Sequence, residues 1–453
     1  MKNSGSSKTF NPKYKSEMMK IKYIIMLVSL LPGMWLQAQE VRPISKSEAI
    51  ELVKQNNREI KISQQEFLES RGDFRQTNSI FLPNVAVSHS GMTTTNPLMA
   101  FGSKLNQGIV TQSDFNPELL NNPDRINNFA TKIEVEQPLI NVDGIFQRKA
   151  AKTKMAATAL KTDRTIDHMV LEVEKAYMEL QLAQKAVAVL ESAQKAALAN
   201  KKLADDNYEQ GYLQKSDLLS VEIRVSEVNN QLQYAKSNVI NASDYLAYLL
   251  NEPVNTIFEP TDSLEVSLPV QENAESVFLE RADIRAMKLA TDAREEMLQA
   301  DKMSFLPNLN AFGSYELYDD ELFAGDASGY IAGIQLKWDL FEGYKRFGKL
   351  QKSQATYEKA RLEYESYVSR SEMERNRASR AVKDAENKLE LTRLALEQAE
   401  ESLRIRANRF EQGLEKTSDL LAAEAQLSQK QLEYAQTIYE YNYAQAQLEF
   451  LIN

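Results

Sequence analysis

Three tetrapeptide motifs occur twice in this chain, each time in the same order. The pairs are Phe81–Asn84 with Phe305–Asn308, Tyr208–Gly211 with Phe410–Gly413, and Ser216–Leu219 with Ser418–Leu421. Ordered matches of this kind indicate an internal duplication, so both halves should fold into the same succession of elements. We therefore predict a first structural repeat at residues 39–255 and a second at 275–453, joined by a proline-containing linker at 256–274.

Each half shows the same order of periodic patterns. An amphipathic helix ends at Phe-Leu-Pro-Asn because proline disfavours helix at the residue before it. Period-two alternation then predicts a strand pair, and long helical stretches interrupted by one glycine turn follow. The predicted segments are first helices at 47–80 and 275–304, strands within about 81–140 and 305–341, and helical hairpins within about 144–251 and 343–451. The fold class is mainly α with a small β part, built from duplicated helix–β-hairpin–helical-hairpin halves.

The last helix of each half carries an apolar residue at every seventh position, a spacing typical of coiled-coil packing. The repeat positions are Leu218, Val225, Leu232, Val239 and Leu246 in the first half, and Leu420, Leu427, Tyr434, Tyr441 and Leu448 in the second. A long helix over 144–208 would span roughly 100 Å, about the combined length of the two shorter helices in its half. The strands are therefore expected at one end of a rod and the glycine turn at the other.

The first 38 residues predict a secretory signal peptide. Lys20 and Lys22 precede an apolar run at 23–31, and Ala38 provides a small residue for cleavage. An uncleaved anchor is the alternative interpretation. Removal of residues 1–38 takes away six lysines and one glutamate, which changes the formal net charge from −10 to −15. That acidity disfavours nucleic-acid binding, and the absence of cysteine excludes disulfides, thiol nucleophiles and a lipidated-cysteine anchor.

Four strands per chain are too few to close a barrel, for which about eight is the practical minimum. Open strand edges in lipid would leave backbone groups unpaired, so strands in a membrane require several chains to join them. Aromatic residues near the strand ends suit the membrane–water interface, and the candidates are Tyr315, Tyr330, Trp338 and Phe341. The alternative interpretation is a pair of soluble β-hairpins attached to a helical rod.

The duplicated order, the paired Phe-Leu-Pro-Asn strand starts and the two Gly…Ser-Asp-Leu-Leu turns together resemble the TolC-like outer membrane efflux proteins, the outer membrane factor family. The resemblance extends over essentially the whole mature chain. It implies a homotrimer with a 12-stranded β-barrel in outer-membrane lipid on a 12-helix coiled-coil tunnel in the periplasm. It further implies docking to a periplasmic adaptor and an inner-membrane pump of the RND, ABC or MFS type, for efflux or type I secretion.

The glycine turns are the predicted periplasmic tips, because glycine permits the positive φ of a tight turn. The resemblance gives Tyr208, Gly211, Phe410 and Gly413 as candidates for adaptor docking. Ser216 and Ser418 are predicted N-caps of the helices that follow. Acids at the tips suggest rings of carboxylates that narrow the pore, although acids also simply favour helix starts. The candidate gate residues are Glu209, Asp217, Glu411 and Asp419; Ala422 stands where related tunnels carry a second acid.

No set of residues predicts catalysis or a cofactor. The two histidines, His89 and His168, lie on different predicted elements, and no glycine-rich phosphate loop occurs. We therefore expect a channel rather than an enzyme, with a periplasmic coiled-coil structural or adaptor protein without a pore as the second hypothesis. The loop at about 90–128 is longer than its counterpart in the second half. Its apolar Phe101 and Leu119 predict that it folds over the mouth of the channel.

Overall fold

The structure, a computed structural model, describes residues 41–253, 255–269 and 278–452. The predicted signal peptide at 1–38 lies outside the described residues. Helices dominate and strands form a small part, as the sequence predicts. The helices are α1 Lys46–Asn56, α2 Arg58–Gln76, α3 Pro97–Asn106, α4 Pro117–Asn121, α5 Val142–Glu209, α6 Lys215–Leu250, α7 Ala282–Met303, α8 Lys345–Glu411 and α9 Thr417–Ile452. The strands are β1 Val41–Ile44, β2 Asn84–Thr94, β3 Ile126–Ile140, β4 Ile257–Pro260, β5 Asn308–Asp319 and β6 Ala327–Lys337.

The first amphipathic segment is two helices, not the single helix predicted over 47–80. Asn57 ends α1 and begins α2, and its side-chain oxygen accepts hydrogen bonds from the backbone N–H groups of Glu59 and Ile60. An asparagine amide competes well with the backbone for such bonds and therefore favours a cap over a helix interior. In the second half the corresponding helix, α7, begins at Ala282, later than predicted.

Four strands form one antiparallel sheet in the order β2-β3-β5-β6, so the two hairpins lie side by side. The register pairs Ile133 with Tyr315 and Tyr315 with Tyr330. Strand β6 ends at Lys337, which places Trp338 just beyond the strand rather than inside it. The outermost strands of the sheet, β2 and β6, each have one unpaired edge within the described residues.

The helices form two successive four-helix layers that share the long helices α5 and α8. Next to the sheet, α2 packs on α5, α5 on α7, and α7 on α8. Farther away the order is α6, α5, α9 and α8. The heptad positions of α6 face this packing, with Leu232 and Leu246 buried, as coiled-coil spacing predicts. In both layers α8 is one edge, and α2 or α6 is the other.

Part of the predicted linker is structural. Residues 257–260 form β4, which pairs in parallel with the N-terminal strand β1. The pair covers an apolar core in which Ile44, Tyr177 and Phe258 are fully enclosed. The Tyr177 hydroxyl lies 3.1 Å from the Ile44 carbonyl and 3.0 Å from an Asp262 carboxylate oxygen, two acceptors that share its single proton. A sequence pattern for this sheet is weak because each strand has only four residues.

The duplication extends to a specific contact at the junction of the two layers. In the first half, the Asn57 amide donates to the Leu249 carbonyl at 2.8 Å. In the second half, the Arg281 guanidinium donates to the Leu451 carbonyl, also at 2.8 Å. Asn57 and Arg281 are the N-cap residues of α2 and α7, respectively. Each N-cap residue therefore also donates a hydrogen bond to a carbonyl in the last turn of α6 or α9, where the backbone carbonyls lack partners within the helix.

Candidate functional site

The two glycine turns lie at the end of the rod opposite the sheet and have the predicted backbone conformation. Gly211 has φ of 79° and Gly413 has φ of 71°. In each turn a backbone N–H reaches five residues back, from Tyr212 to Asn207 and from Leu414 to Arg409. This is the pattern by which a left-handed glycine closes a helix end. At the first tip, Tyr208 is exposed and Tyr212 is 82% exposed.

We expect Gly413→Ala to destabilise the second tip by about 1–2 kcal/mol, because an L-residue there must adopt the left-handed conformation. A matched control is Gly348→Ala inside α8, where an added Cβ meets nothing within 4 Å. That change should stabilise the helix by about 0.5–1 kcal/mol. Hydrogen exchange of residues 408–419 measures the first effect, and equal protection in wild type and Gly413→Ala would contradict it.

The predicted serine N-caps are wrong. Helix α6 begins at Lys215 with Gln214 as its N-cap, and α9 begins at Thr417, so Ser216 and Ser418 lie inside the first helical turns. Asp217 and Asp419 do lie in those turns, where a carboxylate interacts favourably with the positive end of the helix. The fold brings both of these aspartates to the tip end of the rod, together with Glu209 and Glu411 at the ends of α5 and α8.

The two tips differ in what holds them closed, a difference that the sequence analysis missed. In the second tip, Glu415 accepts from Arg406 and Arg409, each at 2.8 Å. The residue at the same place in the first tip is Leu213, which packs in an apolar cluster with Val221 and Leu421. Because Leu421 belongs to α9, this cluster also joins the first tip to the second helical hairpin. The sequence sign of this difference is the residue two positions after each turn glycine, which is Leu213 in the first tip and Glu415 in the second.

Polar contacts also join α5 to α9 along their length. The Asn200 amide donates to Glu424 at 2.6 Å, and the Tyr439 hydroxyl donates to Glu179 at 2.9 Å. Burial raises the pKa of Glu424, because a carboxylate is less stable away from water. Ala422, where related tunnels are expected to carry a second acid, has no carboxylate. A partly buried acid, Glu424, lies five residues after Asp419.

The sheet has one apolar and one polar face, as the alternation predicts. The register places Ile133, Tyr315 and Tyr330 on the apolar face, and Tyr330 is 80% exposed. The opposite face carries charged side chains, where Lys132 lies 3.3 Å from Glu134 and 3.7 Å from Glu316. An exposed apolar face of this size indicates contact with lipid or another protein.

The aromatic candidates occupy two levels of the apolar face. Tyr315 and Tyr330 are paired across β5 and β6, and Trp338 and Phe341 follow the other end of β6. The Trp338 indole N–H donates to the Phe305 carbonyl at 3.0 Å. Eight positions separate Tyr330 from Trp338, about 26 Å along a strand; their location at membrane interfaces remains a prediction.

The long hairpin loop folds back onto the end of the sheet. It contains α3 and α4, and the buried side of α3 includes Ala100 and Ser103. Just after α3, the Gln107 side-chain nitrogen lies within hydrogen-bond distance of three acceptors that share its two N–H groups: the Asn127 carbonyl (2.8 Å), Asn128 Oδ1 (2.9 Å) and the Asp319 carbonyl (3.1 Å). This residue fixes the loop to the ends of β3 and β5, but the predicted cover over a channel mouth remains a prediction.

Two other features bear on the kind of site present. Within residues 41–253, 255–269 and 278–452, no group of three or more histidine and acidic side chains is arranged to hold a metal ion. In the same ranges, every helix lacks an apolar stretch long enough to cross a bilayer.

Comparison with known proteins gives one family and a consistent set of structures. The sequence matches the family profile described as "Outer membrane efflux protein" over residues 49–252 and 274–453. A search of curated protein sequences found no significant match.

Similar solved structures include membrane proteins from three bacteria. A membrane protein from Pseudomonas aeruginosa is 16% identical with a TM-score of 0.78, covering 92% of this chain and 94% of that one. The Campylobacter jejuni outer membrane channel CmeC is 15% identical with a TM-score of 0.78 and coverages of 90% and 85%. The open-state Neisseria gonorrhoeae outer membrane channel MtrE is 17% identical with a TM-score of 0.74 and coverages of 90% and 88%. At these identities the likeness establishes the fold.

Proposed function

The chain belongs to the outer membrane efflux protein family, and from that premise we propose that it is the outer-membrane exit duct of a tripartite efflux or type I secretion system. Substrates would pass from an inner-membrane RND, ABC or MFS-type pump and a periplasmic adaptor to the cell exterior. The chain would be exported by its signal peptide, with the sheet in the outer membrane and the helices in the periplasm.

The proposal rests on the positions of the unpaired sheet edges and of the outermost helices, which lie together on two sides of the chain. Strand β2 leads from α2, and β6 leads into α8, so one side presents β2, α2 and α6 and the other presents β6 and α8. Two different, complementary edges produce a ring when copies join head to tail. Three copies would give 12 strands, enough to close a barrel with an aqueous interior.

Exposed apolar side chains along the helix edges support this ring. They require cover that the single chain does not supply, because surfaces with repeated large apolar residues are typical of interfaces. On α8 the exposed set includes Leu362, Met373 and Leu391, and on α6 it includes Ile223 and Tyr234. Conductance of the purified oligomer in a planar bilayer tests the channel. A water-soluble monomer that does not partition into lipid would overturn it.

The acidic tip residues would line the narrow periplasmic end, with each side chain present three times. We expect Asp419→Ala to weaken block by a trivalent cation such as hexaamminecobalt(III), because three carboxylates around one axis attract cations. The half-blocking concentration should rise on the order of tenfold, which corresponds to about 1.4 kcal/mol.

Glu386→Ala provides the matched control, since this exposed acid on α8 is 24 residues before Phe410. It should leave cation block unchanged while removing the same charge from each chain. If Asp419→Ala and Glu386→Ala give the same blocking curve as wild type, Asp419 is not part of the gate, while the channel itself is judged by its conductance.

A further inference from the structure

A groove of about 1270 Å³ follows the boundary between α5 and α7. Its lining on α5 extends from Gln147 to His168, roughly 32 Å along the helix axis. The end of α2 closes it near the sheet, and Phe450 at the end of α9 closes it at the other end. The groove is therefore long and narrow, the shape of an extended chain rather than a compact ligand.

Small and flexible apolar side chains form much of the groove surface. Ala150 and Ala157 lie on the α5 side, and Met287, Ala290 and Met297 lie on the α7 side. Alanine leaves the space open because its side chain ends at Cβ, and methionine adapts to ligands of different shape. The surface therefore suits an apolar body, whose transfer out of water is favourable in proportion to the area that it buries.

Basic side chains outnumber acidic ones in the same lining. The cations are Lys154, Lys161, Arg164, Arg281 and Arg294, and the acids are Asp73, Asp283 and Glu374. Most of these cations are paired: Lys154 is bound to Asp73 at 3.0 Å, Lys161 to Glu66 at 2.6 Å, and Arg281 to Asp283 at 2.7 Å. Arg294 is exposed and makes no ion pair with any residue in the described ranges. The unpaired guanidinium of Arg294 therefore favours a ligand with an anionic group.

The groove remains open in the proposed ring. Its two principal walls, α5 and α7, are the inner pair of the four-helix layer α2-α5-α7-α8. Neighbouring chains would join at α2 and α8, so they would not cover the boundary between α5 and α7. Ligand access to the groove therefore rests on the proposed ring, whereas the groove itself lies within one chain.

We propose that this groove binds an anionic single-chain amphiphile, with its apolar chain along the alanine and methionine surface and its head group near Arg294. A fatty acid and a lysophospholipid share this chemistry. Their head groups differ, so probes of both kinds identify which source the groove accepts.

The test uses the full-length oligomer in a nonionic detergent and photoactivatable palmitate as the probe. Crosslinked peptides located by mass spectrometry should come from residues 147–168 and 286–297. Ala290→Trp fills the groove at an exposed position and should reduce this labelling about tenfold, the loss expected when an apolar body is displaced from its contacts. Arg294→Glu should reduce it roughly threefold, as for loss of an exposed charge pair.

Ala156→Trp is the matched control, because Ala156 is exposed on α5 but does not line the groove. It introduces the same bulk as Ala290→Trp and should label like wild type. A second control is a palmitate-length probe with a trimethylammonium head group, which should label the groove weakly. Labelling of the same peptides by photoactivatable lysophosphatidylglycerol would show that the groove also accepts lysophospholipids. Labelling that is unchanged by Ala290→Trp, or equal for the cationic probe, would overturn the proposal. Bilayer conductance is measured separately, so failure here is distinguishable from failure of the channel function.

Discussion

Replacement of Ile334 by arginine is expected to prevent accumulation of the folded oligomer in the outer membrane. Ile334 is 69% exposed on the apolar sheet face, midway between Tyr330 and Trp338. If that face contacts lipid, an arginine near the bilayer midplane costs about 2–4 kcal/mol in each chain. In the proposed trimer, three copies would multiply this cost.

Gln335→Arg is the control, because the adjacent strand residue points to the opposite face. There the side chain would join the polar face that already holds Lys132, Glu134 and Glu316. We expect this variant to fold and insert like wild type. The measurement is the fraction of heat-modifiable oligomer in the outer-membrane fraction. Equal insertion of the two variants would show that the apolar face does not meet lipid.

The second large effect is expected at the junction of α7 and α9. Arg281 is 2% exposed, and its guanidinium binds Asp283, Ser371 and the Leu451 carbonyl. Arg281→Met would leave the half-buried Asp283 without its nearest cation. Loss of one partner from a buried ion pair costs about 3–5 kcal/mol.

Arg285→Met is the matched control, one turn along the same helix, because the Arg285 side chain is 53% exposed. Its loss should change the free energy of unfolding by less than about 0.5 kcal/mol. The double variant Arg281→Met, Asp283→Asn should recover part of the loss, since the carboxylate that needs a cation is gone. Urea unfolding followed by helical circular dichroism compares the three variants, and equal midpoints for Arg281→Met and Arg285→Met would contradict this role.

The same junction predicts a pH dependence. Burial alone would raise the pKa of Asp283, but hydrogen bonds from Arg281 and Tyr367 and the charge of Arg164 lower it to about 2 from its ordinary value of 3.8. A lowered folded-state pKa contributes stability above pH of about 4, and that contribution disappears as the pH falls towards about 2. Arg281→Met should make acid unfolding begin at a higher pH than in wild type.

Patterns that repeat along the chain predicted most of the elements. The helical hairpins, the glycine turns and the strand alternation follow from local periodicity and from the conformational freedom of glycine. The resemblance to the outer membrane efflux proteins is confirmed by the family match over both halves. The acidic tip residues remain predictions, because their role depends on neighbouring chains.

The errors occurred where competing local preferences or distant contacts decide the structure. The long first helix divides because Asn57 caps α2 while its amide binds Leu249, 192 residues away. Ser216 and Ser418 have the side chains of N-caps, yet the helices begin before them. Glu424 was overlooked because only its burial against α5 distinguishes it from an ordinary surface acid.

The duplicated helices and hairpins could be predicted from residue order alone, because spacing along the chain sets which side of each element is apolar. Which elements are neighbours, and therefore which polar groups meet, depends on how the helices pack in three dimensions. The Arg281–Leu451 contact, the β1–β4 pair and the α5–α7 groove all depend on residues far apart in the chain. Such contacts arise from the packing of whole helices and leave no periodic signal in the sequence.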